Sequence, residues 1–294
     1  MLWTKLLSPV TKLPKQPLPA WFNQLKDLVS LDTPFDFSVL GGRAALNPSY
    51  AFFAGYQAAL HDLLPDAPDG IGAFCISEER KVQPSELNTR LDQGKVTGFK
   101  DFATCATFAS WFIVLARIEQ KEQPVQLEAC LIAKEAKNLV VTELPALSFL
   151  PDISHGKITL SDTPALRLPG DGWDDYAKRF RILEDAYVLA ALSGWLYSCA
   201  IEEKWPHTLI TSLTGILACI RQALSIPTNE PSMHLLLESG FMQFEDLAFE
   251  LVSTMHKVQS PHLADWKRDR EILNLSRYPR HKRLSNALTA LRLI

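Results

Sequence analysis

Apolar positions first fall into a helical rhythm after a lead broken by prolines at 9, 14, 17 and 19. Trp21, Phe22, Leu25, Leu28 and Val29 share one face and predict a helix over 19–31. Residues 34–46 show no period and are expected to be irregular. Asn47-Pro48 then reads as a helix start, with an N-capping side chain followed by the ring that fits a first turn. Tyr50, Phe53, Ala54, Gln57, Leu60 and Leu64 line one face of that helix, which Pro65 and the turn-rich stretch 66–70 end.

The period then changes. Short runs rich in Val, Ile, Leu and aromatic residues predict strands over 71–76, 111–118, 125–132, 139–144 and 157–160. Turn material separates them at Gly94-Lys95, at 122–124 and at His155-Gly156. Such spacing suggests a compact antiparallel barrel or sandwich. From residue 171 the helical rhythm returns, over 174–203, 207–225, 232–257, 262–276 and 280–292. The connections are short enough for antiparallel neighbours in an up-down bundle. The expected architecture is therefore α+β: a short N-terminal helical segment (1–69), a middle β domain (70–170) and a C-terminal helical bundle (171–294).

Composition changes this picture little. Of 294 residues 47% are hydrophobic and 21% charged, which excludes disorder as the dominant state. No apolar run is long enough to span a bilayer, and the first seven residues are too short for a signal peptide, so a cytoplasmic protein is expected. The five cysteines are odd in number and never two or three apart, which argues for reduced thiols rather than a disulfide framework or zinc knuckle. The seven histidines are scattered and read as packed or solvated side chains, so no metal is expected. Charge is uneven: residues 265–294 hold eight basic and three acidic side chains, net +5, leaving −8 elsewhere from the total of −3. Acidic residues interleave this tail without an aromatic ladder, so a solvated helix face is the expectation rather than a nucleic-acid surface.

Neither a G-x-G-x-x-G nor a P-loop motif is present, and no G-x-S-x-G or H-E-x-x-H occurs. What the chain does carry is a set of ordered segments. Phe74-Cys75-Ile76-Ser77-Glu78, Val96-Thr97-Gly98-Phe99-Lys100-Asp101-Phe102-Ala103-Thr104 and Trp111-Phe112-Ile113-Val114-Leu115-Ala116-Arg117 follow one another in the β block. Phe180-Arg181-Ile182-Leu183-Glu184-Asp185 and Ala190-Ala191-Leu192-Ser193-Gly194 follow in the bundle. In order and spacing this resembles the acyl-CoA dehydrogenase family.

The resemblance implies a flavoprotein oxidoreductase of lipid metabolism that oxidises the α,β C–C bond of an acyl thioester such as an acyl-CoA, with FAD as cofactor. It implies cofactor-binding roles for Phe74, Ile76, Ser77, Phe102, Ala103 and Thr104: hydroxyl donors at Ser77 and Thr104, and an apolar wall from Phe74, Ile76 and Phe102. The alternative is that these strand ends are simply barrel rim. It implies a catalytic base at Glu184, ten residues before Gly194. The face formed by Phe180, Tyr187, Val188 and Ala191 would desolvate that carboxylate and raise its pKa. An ordinary ion pair with Arg181, one turn back, is the alternative.

A homodimer through the C-terminal bundle is also implied. Three departures stand out. Glu79 replaces the proline of the family's Thr-Glu-Pro loop and the Gly-Ser-Asp that follows it is missing; the leading helical block is reduced; and no Gln-x-x-Gly-Gly occurs in 200–294. A catalytically silent protein that keeps the fold as a binding or assembly scaffold is the second functional expectation.

Overall fold

The computed structural model describes residues 3–118 and 125–294, so the expected turn at 122–124 lies outside the described residues. Two compact units divide the chain. A helical unit comprises Met1–Asp62, Ser148–Leu150 and Ile182–Ile294; a sheet unit comprises Leu63–Leu147 and Pro151–Arg181.

The leading helices are α1 (Trp3–Leu7), α2 (Leu18–Leu28), α3 (Pro34–Ala44) and α4 (Pro48–Leu63). Helix α3 corrects the expectation of an irregular 34–46. Every residue from Asp36 to Ala44 is buried, so the helix has no solvent face and its sequence shows no polar period to read.

The later helices are α5 (Arg179–Glu202), α6 (His207–Leu224), α7 (Pro231–Lys257), α8 (Leu263–Asp269) and α9 (Arg277–Ala290). Within the helical unit α7 packs against both α6 and α9. Helices α3 and α4 approach α5 backbone to backbone. A Cβ at Gly42 would stand 1.9 Å from the Ala191 carbonyl oxygen, and one at Gly55 would stand 2.7 Å from that of Tyr187. The Ser38 hydroxyl donates to the Tyr187 carbonyl at 2.7 Å in the same seam.

Two expected helices begin or end differently. The element expected from 174 starts at Gly172, where the Asp171 carboxylate caps it by accepting from the Trp173 and Asp174 amides, and runs as a π-helix to Lys178. The one expected over 262–276 stops at Asp269 and continues as a 3-10 turn over Arg270–Asn274. The buried Asp269 carboxylate there accepts from the Leu150 amide at 2.7 Å and from Arg268.

The sheet unit holds β1 (Gly72–Cys75), β2 (Arg90–Asp92), β3 (Lys95–Thr104), β4 (Trp111–Ile118), β5 (Gln126–Ala133), β6 (Leu139–Glu143), β7 (His155–Pro164) and β8 (Leu166–Arg167). The order is β6-β7-β3-β2-β4-β5-β8, with β1 joined to β4. The expected antiparallel pairing is corrected in two places: β1 and β2 both run parallel to β4, giving a mixed, curled sheet. Ala73, Cys75, Val96, Phe112, Val114 and Ile158 belong to its buried apolar core. All five cysteines are free thiols, and among the described residues no helix is long and apolar enough to cross a membrane.

Candidate functional site

In the sheet unit β1 and the segment after it lie beside β3, and together they carry all six expected cofactor residues. The Asp101 amide donates to the Ser77 carbonyl at 3.1 Å. The Asp101 carboxylate accepts from the Ser77 hydroxyl at 2.6 Å and from the Arg80 amide at 2.8 Å. Ser77, Ile76 and Thr104 are half-buried, while Phe102 is 40% exposed. One face of the Phe102 ring stacks on His155 at 4.6 Å. Burial pushes the His155 pKa down to about 4, so this ring is neutral at physiological pH.

Alternation along β3 separates Ala103 from this group. Phe102 and Thr104 share a face, whereas Ala103 points into the sheet core. Its side chain therefore cannot touch a ligand on the Phe102 face, and only its backbone could contribute. Phe74 is buried too, its ring 4.6 Å from that of Phe180. The exposed shelf thus narrows to Phe102, Ile76, Ser77 and Thr104, with Phe74 behind it.

A buried ion pair fixes this loop. Lys100 Nζ lies 2.7 Å from Glu78 Oε1 and donates to the Ile76 carbonyl at 3.1 Å. The Asn88 and Thr89 amides donate to the Glu78 carboxylate at 2.6 and 3.1 Å. Burial alone would raise the Glu78 pKa, but the Lys100 charge and these hydrogen bonds outweigh it and hold the carboxyl below its usual range. The lysine thus tethers Ile76, next to Ser77. Sequence reasoning singled out Glu78 and Lys100 only as letters in a motif. A lysine flanked by strand-forming residues is the signal that could have marked a buried cation.

In the helical unit Glu184 sits half-buried on α5. With Phe52, Asp185, Val188, Phe241 and Leu273 it lines a cavity of about 110 Å³. A cavity that size holds a group of a few heavy atoms rather than a whole ligand. Burial raises the pKa of the neighbouring Asp185, and the opposing pull of Arg283, Ser276 and Arg280 is weaker. Asp185 pairs directly with Arg283 of α9. Close by, the buried Arg280 lies over the Phe241 ring and 3.5 Å from both Glu238 and Glu245. Arg181, the alternative partner expected for Glu184, has its guanidinium over the Trp173 ring at 5.2 Å.

The basic C-terminal stretch is largely spent on acids of its own unit. Arg277 faces Glu245, Arg280 faces Glu238 and Glu245, Arg283 faces Asp185, and Arg268 pairs with Asp265 and Asp269. Its charge excess is therefore a structural complement to α5 and α7.

No protein-family model and no curated protein matches the chain. Solved structures do. Butyryl-CoA dehydrogenase from Megasphaera elsdenii is 12% identical with a TM-score of 0.68, over 92% of this chain and 87% of that one. FkbI, for biosynthesis of the methoxymalonyl extender unit of the polyketide Fk520, is 16% identical with a TM-score of 0.64, over 95% and 94%. The FAD complex of PigA is 14% identical with a TM-score of 0.61, over 88% and 82%.

Proposed function

Because the chain has the acyl-CoA dehydrogenase fold, shared with flavoenzymes, we propose that it is a flavin-dependent dehydrogenase oxidising the α,β C–C bond of an acyl thioester. The observation that carries this reading is the half-open shelf of Phe102, Ile76, Ser77 and Thr104. One aromatic face is covered by His155, hydroxyls stand beside it, and a buried ion pair holds the adjoining loop.

These residues fit a flat heteroaromatic ring with a polar edge. Phe102 and Ile76 offer apolar surface, Phe74 backs them, and Thr104 offers a hydroxyl; Ala103 would act through its backbone. Ser77 already donates to Asp101, so it is held as an oriented hydroxyl whose oxygen can still accept. FAD, when bound, supplies the two-electron acceptor that the protein itself lacks. Glu184 takes the α proton of the acyl thioester. The apolar lining of its cavity excludes water from that transfer. A homodimer through the C-terminal helices is part of this reading. It is supported by side chains left exposed there, among them Met242, Phe249 and Tyr278.

Absorbance of the purified protein, with and without added FAD, tests the reading. A flavin spectrum that an acyl thioester bleaches is expected. In Glu184→Gln the bleaching should be lost while the flavin spectrum stays intact. A protein that neither retains nor takes up flavin would leave the scaffold alternative standing.

A further inference from the structure

The helical unit contains a cluster of side chains that neither the shelf nor Glu184 uses. Cys199 lies in the last turn of α5, Glu203 four residues on just past its end, and His262 immediately before α8. The thiol sulfur, one carboxylate oxygen and one ring nitrogen all lie within 4.8 Å of one another. Cys199 is buried, whereas Glu203 and His262 are half-buried, so the cluster opens outward past those two.

The carboxylate is held in place. The Ser260 hydroxyl donates to Glu203 Oε1 at 2.8 Å and the Trp205 indole N–H to Oε2 at 2.9 Å. Both oxygens keep a lone pair, and such outer hydrogen bonds are what orient a ligating carboxylate. The Ser260 hydroxyl oxygen also accepts from the His262 amide at 3.2 Å, tying the two candidate ligands to one anchor. His262 Nε2 faces the Lys12 ammonium at 3.3 Å, and because an ammonium only donates, that ring nitrogen presents a lone pair.

A cation already stands at the edge of this cluster. Lys12 Nζ lies 3.3 Å from His262 Nε2 and 2.8 Å from Glu202. With the thiol protonated, Glu202 and Glu203 outweigh Lys12 by one negative charge. A divalent ion bound with loss of the thiol proton adds two positive charges and one negative, which brings the group to neutrality.

We propose that Cys199, Glu203 and His262 form a binding site for a zinc-class divalent cation, in competition with the Lys12 ammonium. One sulfur, one imidazole and one carboxylate suit zinc or its first-row neighbours, whereas calcium and magnesium prefer oxygen alone. Three protein ligands leave the fourth tetrahedral position to water. In the binding step the Cys199 S–H bond breaks and its proton leaves to solvent. The sulfur lone pair then goes to the metal, and Lys12 swings from His262 to Glu202 alone. Ligand atoms around zinc lie roughly 3.5 Å apart, so the cluster contracts by about 1 Å, within reach of side-chain rotations at Glu203 and His262.

The test is an anaerobic titration of the chelator-treated full-length protein with Co²⁺, which colours thiolate-containing tetrahedral sites. One equivalent should bind, with a thiolate-to-cobalt charge-transfer band and visible ligand-field bands that Zn²⁺ displaces. Cys199→Ser should lose the charge-transfer band although four other cysteines remain, and His262→Ala should weaken binding at least about tenfold. Lys12→Met should keep the band and tighten binding severalfold. No charge-transfer band in the unmodified protein, or its persistence in Cys199→Ser, overturns the proposal. Should Cys199→Ser fail to fold, unchanged affinity in His262→Ala overturns it equally, and Lys12→Met without tighter binding refutes the competition.

Discussion

Each unit buries a charge pair, and the two do so in opposite ways. In the sheet unit Glu78 and Lys100 are 22 residues apart and meet across neighbouring segments, where two backbone amides also serve the carboxylate. In the helical unit Asp185 and Arg283 are 98 residues apart, and the arginine comes from the last helix. The first carboxyl is held below its usual pKa, while the second is raised above it. A buried acid surrounded by donors from its own loop is stabilised as an anion. One on an apolar helix, served only by side chains from far along the chain, Arg283 first and then Ser276 and Arg280, is only partly compensated.

The largest expected consequence of this difference is in Lys100→Met, which strands the Glu78 charge in the sheet core. It should cost about 3–5 kcal/mol in urea unfolding, as breaking a buried ion pair does. Arg283→Met should cost less, about 1–3 kcal/mol, because Asp185 can take up a proton in place of its partner. Equal losses in the two variants, or the reverse order, would break the comparison.

The signs of pH dependence sharpen it further. Glu78 has a lowered pKa, so its stabilising share is present above the ordinary glutamate value and is lost as pH falls through the folded pKa. Asp185 has a raised pKa, so its share is full below the ordinary value of 3.8 and is lost as pH rises through the folded one. Relative to the parent, Glu78→Gln should therefore look progressively less harmful on acidification, and Asp185→Asn progressively less harmful toward neutral pH. Urea midpoints measured across the carboxylate range should show these opposite slopes.

The smallest effect is expected where no charge is buried. Gly215 lies within α6 with open space where a Cβ would go. Gly215→Ala should stabilise the helical unit by about 0.5–1 kcal/mol in thermal unfolding. A loss would mean that this face is packed in solution.

The same contrast governs what could be read from the amino acids alone. The shelf residues lie within about thirty positions of one another, on segments whose alternation and order can be recognised, so the meeting of the Ser77 segment with the strand of Phe102 and Thr104 was legible. Ala103 came with its motif as a block, whereas strand alternation sends its side chain inward, which the letters of a motif do not show. Helix α3 was missed because complete burial erases the polar stripe that makes a helix visible. The burial of Asp185 beside Glu184 could not be read from the chain, because what surrounds that position comes from helices far along the sequence. The cluster of Cys199, Glu203 and His262 was invisible for the same reason, since its third member arrives from beyond two more helices.

The glycine seam has a bearing on how the chain is made. Helices α3 and α4 are synthesised early, yet the backbone that Gly42 and Gly55 press against belongs to α5, some 130 residues downstream. At ribosomal speeds of 5–20 residues per second, that partner emerges on the order of ten seconds later. For that interval, while the intervening strands are still being translated, the bare glycine ridges of two nascent helices have no partner, a window in which a holding chaperone would have its best grip.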